Sequence, residues 1–159
     1  MNSVGQKITA ELAVNKGNEP LWLKAFINNY HLLSTDNLHL LDDIYHQDIH
    51  FEDPMHCING LTQLHQYFQQ LYTNLESCCF NITNVLLQGE QAAIYWQMTY
   101  QHPKLNGGKP VIVEGHSHIK GSDDKVSYHR DYIDLGAMLY EHVPVLGRFI
   151  HWIKQRAAN

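Results

Sequence analysis

The spacing of apolar residues changes once along the chain. Between Pro20 and Leu75 they recur every three or four positions, and from Cys79 to Asp134 they alternate, which are the periods of helices and strands respectively. Trp22, Phe26, Tyr30 and Leu33 predict an amphipathic helix of about four turns. Ser34-Thr35-Asp36-Asn37 then offers caps for a shorter helix over Leu38–Tyr45. The run Asp48–Pro54, DIHFEDP, reads as a short extended segment ended by a proline whose ring disfavours helix at Asp53. Leu61, Leu64, Tyr67, Phe68, Leu71 and Leu75 predict a third helix. Strands are expected over Cys79–Leu87, Gln91–His102, Val111–Lys120 and Lys125–Asp134, the last two joined as a hairpin by Gly121-Ser122-Asp123-Asp124. Over 144–157, an apolar stripe with Phe149, Trp152 and Ile153 and a basic one with Arg148, Lys154 and Arg156 predict a C-terminal amphipathic helix, packed on the sheet or at a pocket mouth, with a membrane-surface helix as the lesser alternative because the rest of the chain is acidic. Residues 1–18 are polar and aperiodic and read as a loose arm.

Helices followed by antiparallel strands indicate an α+β fold, with the helices on one side of a single sheet. A sheet that must cover three helices curls, so the expectation is a cone-shaped fold: a strongly curved antiparallel β-sheet wrapped around three N-terminal helices, with a C-terminal amphipathic helix added. The 159 residues suit one domain, 1–159, large enough to bury a core and an apolar pocket with a few convergent polar groups. Trp96, Met98 and Tyr100 share one face of their strand and are expected to line that pocket, while Tyr95, Gln97 and Thr99 take the other. Placed with Val111, Val113 and Ile119 of the next strand, that second face mixes polar and apolar groups as subunit interfaces do, and a homodimer is expected through it.

The final hairpin concentrates titratable groups. Glu114, His116 and His118 share one face of its first strand, and His129, Asp131 and Ile133 one face of its second. If the two faces coincide, imidazoles and a carboxylate converge, which an apolar sheet face tolerates only when they are paired, solvated or in use. Twelve histidines against 11 Lys+Arg is the one compositional anomaly, and histidine changes charge near neutral pH. The net charge of -5 gives phosphate backbones no attraction, so nucleic acid is not an expected partner. The N-terminus lacks the features of a secretory signal and no apolar run reaches membrane-spanning length, so a cytoplasmic protein without a membrane partner is expected. Cys57, Cys78 and Cys79 have no metal-ligand spacing and read as reduced thiols. Gly-rich phosphate loops, nucleophile elbows and nicotinamide fingerprints are absent, which argues against phosphoryl and hydride transfer.

This order of elements, with Glu52-Asp53-Pro54 and the run HRDYID, resembles the nuclear transport factor 2-like superfamily over roughly Leu21 to Gly136, and within it the SnoaL-like polyketide cyclases and the ketosteroid isomerases. In ketosteroid isomerases the Asp of a Glu-Asp-Pro is the general base, so the resemblance implies that role for Asp53. It also implies Tyr30 as an oxyanion donor, matched with one residue gapped in the following loop. His116 falls where those isomerases carry a protonated Asp, which is a departure from their pattern. The cyclase resemblance implies instead a His and an Asp from the last strands as acid/base groups, for which His118 or His116 with Asp131 are the matches.

Asp53, His116, His118, His129 and Asp131 are therefore the candidate catalytic residues, with Tyr30, Trp96, Met98 and Tyr100 as candidate substrate contacts. The expected function is binding of a small apolar or cyclic ligand, with proton transfer beside a carbonyl of the isomerase or cyclase type and no cofactor. Two further readings stand beside it. One is a non-catalytic dimeric ligand-binding or interaction domain. The other is a divalent metal held by His116, His118 and His129 or Asp131, in the manner of a hydrolase-like zinc site with three protein ligands.

Overall fold

The computed structural model describes residues 19–157, so the arm expected over 1–18 lies outside the described residues. Its elements are α1 (Leu21–Asn29), α2 (Leu40–Ile44), β1 (Tyr45–Glu52), β2 (Cys57–Asn59), α3 (Leu61–Thr73), β3 (Ser77–Gln88), β4 (Gln91–Gln101), β5 (Val111–Ser122), β6 (Lys125–Ile133), α4 (Leu135–Met138) and α5 (Leu146–Ala157). The first helix tightens into a 3-10 turn over Tyr30–Leu32. The second is shorter than expected because Tyr45 already has extended backbone and opens β1.

Six strands form one sheet in the order β2-β1-β6-β5-β4-β3. The four long strands make the expected antiparallel meander, but β1 pairs with β6 in parallel, so the sheet is mixed rather than wholly antiparallel. The extended segment around Phe51 thus has a partner far along the chain, the last strand, which no local pattern specifies. Register shifts at Ile82/Asn84, Lys120/Gly121 and Tyr45/His50 mark irregularities that bend and twist their strands, and they give the sheet the curvature that lets it wrap α1 and α3. The β5–β6 turn is two residues long, Asp123 and Asp124, both at positive φ as a primed hairpin turn requires.

The concave face is decided by apolar alternation. In β4, Ala92, Ile94, Trp96, Met98 and Tyr100 point inward, and their cross-strand neighbours Ile119, Ser117, Gly115, Val113 and Val111 follow them. Val111, Val113 and Ile119 are therefore core residues facing Phe26, Leu64 and their neighbours, not members of the outer face with Tyr95, Gln97 and Thr99 as expected. The outer face carries Ile112, Glu114 and His116 opposite those three residues. A strand has only two faces, so seating β5's aliphatic residues inside puts its charged alternates outside.

Gly115 sits where no side chain fits. A Cβ there would stand 2.4 Å from the indole of Trp96, which fills the space above it. Gly115→Ala should lower stability by about 1–3 kcal/mol through over-packing, measured as a shift in the urea midpoint with tryptophan fluorescence reporting displacement of Trp96.

Candidate active site

Between the helices and the concave face lies a cavity of about 360 Å³. Tyr30, Phe51, Tyr67, Phe68, Phe80, Met98 and Tyr100 supply most of its wall, and Asp53 and Asp131 are its two carboxylates. Leu135, Met138 and Leu139 close one side. Asp134 starts α4 there by accepting hydrogen bonds from the Gly136 and Ala137 amides, and Tyr100 Oη donates to the Met138 carbonyl. Tyr30 stacks on Phe26 and meets Phe68 and Phe80 edge-on, so its ring is held on three sides.

Asp131 is the best-positioned polar group. Its Oδ1 accepts from Ser117 Oγ at 2.5 Å and pairs with His129 Nε2 at 2.8 Å. Ser117 and His129 are fully buried, and each is held from behind. Trp96 Nε1 donates to Ser117 Oγ at 2.8 Å, and His129 Nδ1 lies 2.6 Å from Tyr45 Oη. Burial pushes the Tyr45 phenol well above its ordinary range, with the Asp131 charge adding to it, so Tyr45 keeps its hydrogen and donates it. His129 Nδ1 is then the acceptor and Nε2 the donor to Asp131. Oδ1 takes both bonds, and Oδ2 has no partner among the described residues.

Asp53 is loaded differently. Oδ1 accepts from the amides of Met55 and His56, both at 2.7 Å, and Oδ2 accepts from Tyr67 Oη at 2.5 Å. His56 Nδ1 lies 3.1 Å from both oxygens. The Asp53 side chain thus closes the Pro54 turn between β1 and β2 and anchors α3 to it through Tyr67. Burial, followed by the Asp53 hydrogen bond, raises the Tyr67 phenol above its ordinary range, so it remains a donor.

The candidate residues do not all meet. Tyr30, Asp53, Met98, Tyr100 and Asp131 line the cavity, while His129 supports Asp131 from behind the wall and Trp96 supports Ser117. His116 and His118 are on the opposite face. Across β5 and β6 the register sets Ser117 beside Asp131 and Ile119 beside His129, leaving His116 beside Tyr132 and His118 beside Arg130. The faces expected to coincide are offset by one residue. His116 stacks between Tyr95 and Tyr132, and His118 Nε2 lies 2.9 Å from Gln91 Oε1, its pKa lowered by burial, then by Lys120 and His116. The zinc grouping of His116 and His118 with His129 or Asp131 therefore does not assemble, since the sheet separates its members.

Tyr45, Ser117 and Tyr67 were not singled out from the sequence. Ser117 carried a signal, because it occupies an inward place in the alternation Val111, Val113, Gly115, Ser117, Ile119, where a lone hydroxyl demands a partner. Cys78 borders the cavity, and burial pushes its thiol up to about 12, which makes it unreactive near neutrality.

The SnoaL-like domain family model matches residues 25–129. A comparison with curated protein sequences returns no match. Among solved structures, an NTF2-like protein of unknown function from Burkholderia pseudomallei superposes with a TM-score of 0.69 at 9% identity, over 80% of this chain and 100% of that one. A protein with a ketosteroid isomerase-like fold from Catenulispora acidiphila, in complex with trimethylamine, gives 0.67 at 15% identity, over 80% and 96%. One described as a SnoaL-like polyketide cyclase from Jannaschia sp. gives 0.65 at 13% identity, over 81% and 98%. At these identities the likeness is one of fold.

Tyr45→Phe tests the support behind Asp131. It leaves the His129 Nδ1 acceptor buried without a donor, and should cost about 1–3 kcal/mol in chemical denaturation, with a shift in the His129 imidazole resonances.

Proposed function

Because the chain belongs to the SnoaL-like domain family, we propose that its cavity binds a flat cyclic carbonyl compound, that Asp131 moves a proton on it and that Tyr30 hydrogen-bonds its carbonyl oxygen. The observation that carries this reading is the asymmetric Asp131 carboxylate, with Oδ1 held by Ser117 and His129 and Oδ2 unpartnered at an aromatic cavity. A carboxylate held at one oxygen is oriented, and its other oxygen keeps lone pairs with which to take a proton.

Tyr30 is the complement. Its hydroxyl has no hydrogen-bond partner among the described residues and borders the same cavity. Burial first, and then the Asp131 charge, hold its phenol well above the ordinary range, so it donates rather than ionises at neutral pH. Asp131 Oδ2 removes a proton from the carbon beside the carbonyl, the electron pair moves onto the carbonyl oxygen, and Tyr30 donates a hydrogen bond to that oxygen. Returning the proton to another carbon gives isomerisation. If the enolate carbon instead bonds to a second carbonyl carbon of the same molecule, whose oxygen takes up the proton, the outcome is cyclisation. Asp53 fits a base less well, because the Met55 and His56 amides and Tyr67 already use its lone pairs. We assign it to shaping the cavity mouth.

Deuterium uptake beside the carbonyl of bicyclic ketones such as tetralones, followed by NMR in deuterium oxide, reads proton abstraction whatever the natural reaction is. The protein should accelerate uptake. Asp131→Asn should lower the catalysed rate by about 10²- to 10⁴-fold while ketone affinity is kept, and Tyr30→Phe by about 10²-fold or more. Loss of the rate in Asp53→Asn with Asp131→Asn unaffected would move the base to Asp53. Binding without catalysed uptake in any variant would favour a non-catalytic binding domain.

A further inference from the structure

The C-terminal helix α5 packs the wrong way round for an amphipathic helix. It rests chiefly on the Tyr140–His142 turn, and it meets that turn with Gly147, His151 and Lys154, spaced four and three residues apart on one helix face. Gly147 is buried so closely that a Cβ would lie 2.2 Å from the Glu141 carbonyl oxygen. Lys154 pairs with the Glu141 carboxylate, and His151 Nε2 lies 3.8 Å from it. The apolar stripe, offset around the helix, is left outside: Phe149 is 56% exposed, Trp152 50%, Ile153 46% and Leu146 41%. Apolar side chains gathered on one exposed helix face, rather than scattered singly, mark an interaction site.

Charge decides between occupants. The α5 sequence contains Arg148, Lys154 and Arg156 and no Asp or Glu, in a chain whose net charge is -5. Arg148, Trp152 and Arg156 follow one another at four-residue spacing, Arg148 at one edge of the stripe and Arg156 at its C-terminal end, and the Arg156 guanidinium lies 5.1 Å from the Trp152 ring. Neither arginine has an acidic partner among the described residues. Laying α5 of a second copy along this one would join two basic helices that lack acidic residues, whereas an anionic lipid surface offers acyl chains to the stripe and phosphates to the arginines.

We propose that α5 is a surface anchor that lays Leu146, Phe149, Trp152 and Ile153 into the interface of an anionic lipid bilayer, with Arg148 and Arg156 on the headgroups. The sequence expectation of no membrane partner rested on the lack of a membrane-spanning run, and a membrane-surface helix was the lesser alternative because the rest of the chain is acidic; α5 itself carries the opposite sign. No helix among the described residues is long and apolar enough to cross a membrane, so the contact is interfacial. A helix of 12 residues spans about 18 Å, which suits a shallow footprint parallel to the surface.

The full chain can be sedimented with vesicles of phosphatidylcholine alone or mixed with phosphatidylglycerol. Trp22 and Trp96 are buried and Trp152 is exposed, so a blue shift of emission on binding reports the helix directly, and Trp152→Phe should remove it. Binding should need phosphatidylglycerol and weaken with salt. R148Q/R156Q should weaken it about 25-fold, roughly fivefold per guanidinium, and F149S/I153S should abolish it. Failure to bind phosphatidylglycerol vesicles at low salt, or binding that survives F149S/I153S, would overturn the proposal. It would equally be overturned by light scattering showing a lipid-free dimer that F149S/I153S dissociates, because a second copy would then occupy the stripe.

Discussion

Tyr45, His129, Asp131, Ser117 and Trp96 form one hydrogen-bonded chain through the core, and they come from β1, β6, β5 and β4. A buried polar group without a partner costs about 1–3 kcal/mol, and a buried charge more. Each member therefore constrains the strand that carries it. Tyr45 must meet His129, which ties the parallel β1–β6 pairing in place. Ser117 must lie between Trp96 and Asp131, which ties β5 to both neighbours. Among the described residues no fully buried side-chain polar atom lacks a partner, so the network is satisfied throughout.

That network and the apolar packing demand the same register. Sliding β5 by one residue would turn Glu114, His116 and His118 into the core and bring Val113, Ser117 and Ile119 out, losing aliphatic burial and the support of Asp131 together. The outer face accepts what the core rejects. His116 stacks with Tyr95 and Tyr132, His50 with Tyr128, and Arg130 pairs with Glu52 while lying over Tyr132. The density of histidine in the last hairpin is thus divided by the sheet into two unrelated sets. One buried imidazole serves the cavity, and the others belong to the convex surface.

This division explains what could and could not be read from the sequence. Period alone located α1, α3, the four long strands and the C-terminal helix to within a few residues, because each has a strong repeat. Asp131 and Tyr30 were identifiable as cavity residues through their place in a resembling family. The faces of the final hairpin were not, because Glu114, His116 and His118 alternate as regularly as Val111, Val113 and Ile119 do. Only the partner strand decides which set goes inward. Parallel pairing of β1 with β6 involves residues some 80 positions apart, as with Tyr45 and Val126, and leaves no local trace. The orientation of α5 was equally hidden, since an apolar stripe states that a partner is needed and not that the partner belongs to the same chain.

Asp53 and Asp131 show how the same side chain on one cavity wall can be held by quite different connections. Asp53 follows the Glu-Asp-Pro pattern, but here its oxygens meet the amides of the turn that Pro54 creates, together with Tyr67 and His56. Those contacts organise the path from β1 to α3 and engage both carboxylate oxygens. Asp131 has no turn to hold. Its contacts gather at a single oxygen and come from the strands, so the carboxylate is oriented at the cavity wall while its other oxygen has no partner among the described residues. The Glu-Asp-Pro carboxylate is thus committed to the turn it secures, whereas the strand carboxylate keeps one oxygen that no described residue hydrogen-bonds.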